Sequence, residues 1–140
     1  MLSSVLHEVE DPEALLAAAR AHCEPGGVVH VNVPNARSLH NLLGVEMGVI
    51  QDPFARSALA QSFQRSRTFD LARLEELTAG AGFEVVARGS YFLKPFTHAQ
   101  MTRLVAEEII DERVLDALYA ITGQAFGEAG AEIFVDLRPR

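Results

Sequence analysis

The run Pro25-Gly26-Gly27-Val28-Val29-His30-Val31-Asn32-Val33-Pro34-Asn35 reads as one β-strand between two stops. Val29, Val31 and Val33 share one face of the strand, and Val28, His30 and Asn32 share the other. Pro25 and the two glycines end whatever precedes the strand, and Pro34-Asn35 ends the strand itself. Upstream, Asp11-Pro12-Glu13 is a helix start. Asp11 caps the free amides, Pro12 fits the first helical position and Glu13 suits the positive end of the dipole. This helix is expected to run to about His22 and to bury Leu15, Leu16 and Ala19. In front of it, Leu2–Leu6 is an apolar stub that reads as the carboxyl end of a strand.

Downstream, Ser38 is expected to cap a helix carrying Leu39, Leu42, Leu43 and Met47 on one side, broken at Gln51-Asp52-Pro53. Asp70 caps a further helix with Leu71, Leu74 and Leu77 inward, closed by Gly80 and Gly82. A strand follows from Phe83 to about Arg88 and can resume through Tyr91-Phe92-Leu93. Thr97 and Gln100 have the spacing of a capping box, opening a helix with Met101, Leu104, Val105 and Ile109. Asp111 caps a last helix with Val114, Leu115, Leu118 and Tyr119, ending near Gly123. The final strand is Ala131 to Leu137. Strands alternating with helices predict a single α/β domain over 1–140, mostly parallel, with helices on both faces. The long connection between the last two strands permits either orientation.

Composition removes several functions. The net charge is −7 and the chain has no broad basic face, so a nucleic-acid partner is not expected. Arg56, Arg65 and Arg67 form the one basic island and read as a solvated loop. No apolar run approaches the ~20 residues that span a bilayer, and acids appear already at Glu8, Glu10 and Asp11, so neither a membrane span nor a signal peptide is expected. Cys23 is the only cysteine, which fits a reducing, cytoplasmic setting and excludes an internal disulfide. The five histidines show no ligand spacing, and His7-Glu8-Val9-Glu10-Asp11 is followed at once by Pro12, so no metal site is expected. No strand-to-helix serine elbow is present and Cys23 has no evident activating partner, so covalent hydrolysis is not expected. The glycines of Ala79–Gly82 and of Gly123–Gly130 follow helices and read as helix terminators.

Together, Val5-Leu6-His7-Glu8-Val9-Glu10-Asp11-Pro12, Pro25 through Asn35, Phe69-Asp70-Leu71, Gly82-Phe83-Glu84-Val85-Val86 and Gly89 through Pro95 resemble the second half of class I S-adenosylmethionine-dependent methyltransferases. More narrowly, they are similar to the small-molecule group that includes ubiquinone-type O-methyltransferases. The resemblance implies a doubly wound, Rossmann-like sheet of seven strands, of which this chain supplies the equivalents of the fourth to seventh. It also implies S-adenosylmethionine as methyl donor and a small molecule as acceptor. The donor's glycine-rich turn and ribose-binding acid would lie on the first strands, so the chain is expected not to bind the donor or turn over alone.

By the same resemblance, Ser3, Ser4 and Val5 pass beside the donor's methionine part. The family commonly has Glu-His next; this chain has His7-Glu8, the expected acid–base position, with a solvated strand-end loop as the plain alternative. Asn35 and His40, beyond the central strand, and Tyr91 and Lys94, beyond the next, are expected acceptor contacts. Asn35 also suits a turn, and Lys94 an edge loop. The alternative function is a non-catalytic binding or dimerisation module on a methyltransferase scaffold. Leu2–Leu6 and Val28–Val33 would border the missing half of the sheet, so the chain is expected to form a homo-oligomer or to pair with an amino-terminal half.

Overall fold

A computed structural model describes residues 1–55 and 67–140. Arg56 and Arg65 of the basic island lie outside the described residues, while Arg67 pairs with Glu13 at 2.8 Å. The order is β1 (Leu2–Ser3), α1 (Pro12–Ala21), β2 (Val29–Pro34), α2 (Leu39–Glu46), α3 (Leu71–Gly80), β3 (Phe83–Tyr91), α4 (His98–Ala106), α5 (Glu112–Ala125) and β4 (Glu132–Pro139). Four of the five expected caps form. The Asp11 side chain accepts from Ala14 N, Asp70 from Arg73 N, Asp111 from Val114 N, and Thr97 and Gln100 form the reciprocal capping box.

The sheet is β1-β2-β4-β3, and it is mixed rather than mostly parallel. β1 runs parallel to β2, whereas β4 is antiparallel to both β2 and β3. β1, β2 and β3 therefore point one way, with β4 reversed between the last two. Consequently Glu132, the first residue of β4, lies opposite both Pro34 and Tyr91, at the carboxyl ends of β2 and β3. β3 is one strand through Tyr91, with a bulge between Val85 and Ala87 that interrupts the alternation read from sequence.

Val29, Val31 and Val33 oppose Leu137, Val135 and Ile133, and this face is buried against Leu16 of α1 and Leu71 and Leu74 of α3. Phe83, Leu6 and Phe69 complete the core. The opposite face carries His30 with its Nδ1 2.7 Å from Asp136 Oδ1 and its ring stacked on Phe134. A Cβ on Gly89 would fall 2.9 Å from that Phe134 ring, so the glycine leaves room for it.

Three local expectations change. Ser38 sits at the start of α2 but makes no side-chain cap; its Oγ is hydrogen-bonded to His40 Nδ1 at 3.1 Å. α2 stops at Glu46, ahead of Gln51-Asp52-Pro53, and Met47 is exposed rather than packed. Gly48 follows with φ +71, a backbone conformation open to glycine at little cost. α5 passes through Gly123 and ends at Ala125.

Candidate functional site at the carboxyl rim

The rim begins where β1 ends. Ser4 takes a left-handed backbone (φ 51) and donates its N–H to the Asn32 carbonyl at 2.9 Å. Asn32 is buried, and its Nδ2 donates to Glu132 Oε2 at 3.2 Å and to Ser4 Oγ at 3.4 Å. Phe92, leaving β3, is also left-handed (φ 61). Two non-glycine residues in this conformation, both at strand exits on one rim, mark a place where the fold tolerates strain for geometry.

Asn35 fixes the loop that delivers Glu132. Its Nδ2 donates to Glu128 O at 2.9 Å and to Gly130 O at 2.8 Å, while its Oδ1 accepts from Arg37 N at 2.9 Å. Gly130 N donates to Ser90 Oγ at 3.0 Å. A Cβ on Gly130 would collide with the Tyr91 carbonyl oxygen and fall 2.7 Å from Tyr91 N, so this glycine serves close backbone approach and not helix termination.

Among the described residues, two large clefts open on this rim. The first, of about 740 Å³, lies between the ends of β1, β2 and β3 and the pair α4–α5. Leu93, Met101, Val105, Leu115, Leu118 and Tyr119 make its apolar wall. The second, of about 690 Å³, is more polar and includes His7, Asn35, His40, Asn41 and Asp52. The clefts share Lys94, His98, Ala131 and Glu132. Burial, and then the Lys94 charge, push the His40 imidazole down to about 4, so it is neutral at physiological pH. Burial also lowers the Lys94 ammonium against the opposing pull of Glu132. Burial raises the Tyr91 phenol, with Glu132 and then Tyr119 adding to it.

The expected site residues divide between these clefts. Ser4, Tyr91 and Lys94 line the apolar one; His7, Asn35, His40 and Lys94 line the polar one. Ser3, Val5 and Glu8 line neither. His7 is buried, only 4% exposed, while Glu8 is exposed with its Oε1 3.5 Å from His7 Nε2. Asn35 spends its amide on the Glu128–Gly130 loop, which makes it a structural pin at the edge of the cleft. Glu132, His98 and Asn32 were not expected there. Only the reversal of β4 carries Glu132 to the rim, and the sequence leaves that orientation open.

A family model described as "Methyltransferase domain" matches residues 1–88, from β1 into β3. The chain belongs to this methyltransferase domain family. No curated protein matches its sequence. Among solved structures, it is similar to the [4+2]-cyclase SpnF at 15% identity and a TM-score of 0.51, over 99% of this chain and 47% of that one. It is also similar to an S-adenosylmethionine dependent methyltransferase from Mesorhizobium loti (13% identity, TM-score 0.49, 97% of this chain, 58% of that one). A third is phosphoethanolamine N-methyltransferase 2 from Haemonchus contortus in complex with S-adenosyl-L-methionine (13%, 0.48, 99% of this chain, 32% of that one). The chain thus spans about half the length of the first two. The likeness to SpnF shows a shared α/β fold, and a fold hosts more than one chemistry.

By the resemblance, the donor would sit where a glycine-rich turn after a strand lets backbone approach it, the geometry that dinucleotide-binding folds also use. The strand exits present are Ser4-Val5, Pro34-Asn35 and Phe92-Leu93, none with glycine. The rim acid, Glu132, is engaged with Asn32. Among the described residues, then, the set does not fit a complete S-adenosylmethionine site. Nor does any group of three or more His, Cys, Asp or Glu among them have the geometry to hold a metal ion.

Proposed function

We propose that this methyltransferase domain supplies the acceptor side of S-adenosylmethionine-dependent methyl transfer to a small molecule. What carries the reading is the pair of clefts meeting at Lys94 and Glu132, on the rim where open α/β sheets bind ligands. An apolar wall and a few convergent polar groups suit a small amphipathic acceptor. Ser3, Ser4 and Val5 are the segment nearest a donor, His7 is the buried titratable group beside it, and Asn35, His40, Tyr91 and Lys94 shape the acceptor's surroundings. These 140 residues alone neither hold the donor nor turn over. The test is methyl transfer from isotopically labelled S-adenosylmethionine, by the 140 residues alone and by any longer polypeptide that carries them. Product only from the longer form is expected. Product from the 140 residues alone refutes the division of labour, and a donor-loaded longer form that methylates nothing refutes the reaction.

β1 covers only Val31 and Asn32 of β2, so this side of the sheet is where a second copy or a donor-binding polypeptide would add on. Sedimentation showing a clean monomer at high concentration counts against self-association. No helix among the described residues is long and apolar enough to cross a membrane. The single cysteine fits a reducing cytoplasm.

A further inference from the structure

We infer that the apolar cleft under α4 and α5 is selective for an uncharged, hydroxyl-bearing aromatic or polycyclic molecule, its hydroxyl seated between Lys94 and Glu132. The size fits. About 740 Å³ lies within the roughly 300–1,000 Å³ of small-molecule sites. The body of the ligand meets Leu93, Met101, Val105, Leu115, Leu118 and the Tyr119 ring, which offer no charge.

The selectivity comes from the end that the two clefts share. The titratable groups facing the cleft are Lys94, beyond β3; Glu132, on β4; His98, at the start of α4; and the phenols Tyr91 and Tyr119. The two formal charges are of opposite sign. An anionic ligand gains Lys94 and meets Glu132; a cationic one gains Glu132 and meets Lys94; either also loses its hydration against an apolar wall. A neutral hydroxyl escapes both penalties. It donates to the Glu132 carboxylate and accepts from the Lys94 ammonium, two charge-assisted hydrogen bonds for one small group. Asn32 holds Glu132 Oε2 at 3.2 Å, so the acceptor atom is pre-positioned before the ligand arrives. The role of the bound molecule as methyl acceptor rests on the function proposed above; its binding does not.

The probes are 2-naphthol, 2-naphthoate and 2-naphthylmethylammonium, titrated calorimetrically at pH 7 with no methyl donor present. A failure here therefore leaves methyl transfer standing, and a failure of methyl transfer leaves this result standing. 2-Naphthol is expected to bind at least tenfold more tightly than either ion. Glu132→Gln, which keeps an oxygen for Asn32, should recover naphthoate several-fold, and Lys94→Met should recover the ammonium probe. Val105→Trp should remove binding of all three, with Ala106→Leu as the milder obstruction if the tryptophan variant does not fold. Equal or tighter binding of an ion, no binding of 2-naphthol to the folded chain, or indifference to both obstructions overturns the inference. So does a dimer in sedimentation that 2-naphthol dissociates, because the occupant would then be a second copy.

Discussion

Replacing Asn35 by alanine separates a structural pin from a ligand contact. The residue is 3% exposed, and its amide donates to two main-chain carbonyls, Glu128 O and Gly130 O, the second fully buried. Stranding a buried acceptor costs about 1–3 kcal/mol, and the lost bond from Arg37 N adds about 0.5–1.5 kcal/mol. Glu128 O is partly reached by water and adds little. The sum is about 1.5–4.5 kcal/mol, which in a domain of this size lowers Tm by about 5–18 °C. Urea and thermal unfolding followed by circular dichroism read it directly. Asn35→Asp adds a signature: its carboxylate faces two carbonyl oxygens, so the variant is at least as unstable at neutral pH. Protonation restores a donor. The folded state therefore binds the proton more tightly than the unfolded chain, and the deficit shrinks as pH falls through the carboxyl range. If Asn35→Ala unfolds within about 0.5 kcal/mol of the parent, the pin does not exist and the residue is free to serve a ligand.

Three further outcomes follow from the same geometry. His40 is held near 4 against 6.5, so between these values the unfolded chain binds more protons than the folded one. Stability should therefore rise with pH across that window, and His40→Gln should flatten the slope of the urea midpoint; an imidazole titrating near 6.5 by NMR contradicts this. Gly130→Ala should cost at least about 1–3 kcal/mol, because the atoms it meets are Tyr91 backbone, whereas Gly123→Ala, inside α5 with nothing within 4 Å, should gain about 0.4–1 kcal/mol. Unfolding midpoints that move the same way for both refute the packing argument. Thr97→Ala removes half of the capping box on α4 and should cost about 1 kcal/mol, seen as a lower unfolding midpoint.

Much of the fold was legible because local chemistry specifies it. Asp11, Asp70, Asp111 and Thr97 can satisfy helix-end amides in few other ways, and the β2 alternation fixes which valines face the core. Two things were not legible. The direction of β4 depends on how α4 and α5 return the chain, a tertiary matter that no period of apolar residues records. With it went Glu132, which reads in sequence as the polar lead-in to Ile133-Phe134-Val135 and becomes a rim residue only when the strand is reversed. Asn35 shows a role that sequence position does not record: its place after β2 puts it at the polar cleft, and its amide also reaches partners 93 and 95 residues later in the Glu128–Gly130 loop. Ser38 had the residue type of a cap, but a histidine two positions on competes for its hydroxyl.

The proposed function requires that this rim receive the acceptor and that these 140 residues alone leave the donor unbound. Amide NMR of the 140 residues titrated with S-adenosylmethionine examines this most directly. The account predicts no saturable shifts at Ser3, Ser4, Val5 or His7 into the millimolar range. Saturable shifts at those amides with a micromolar Kd would contradict it.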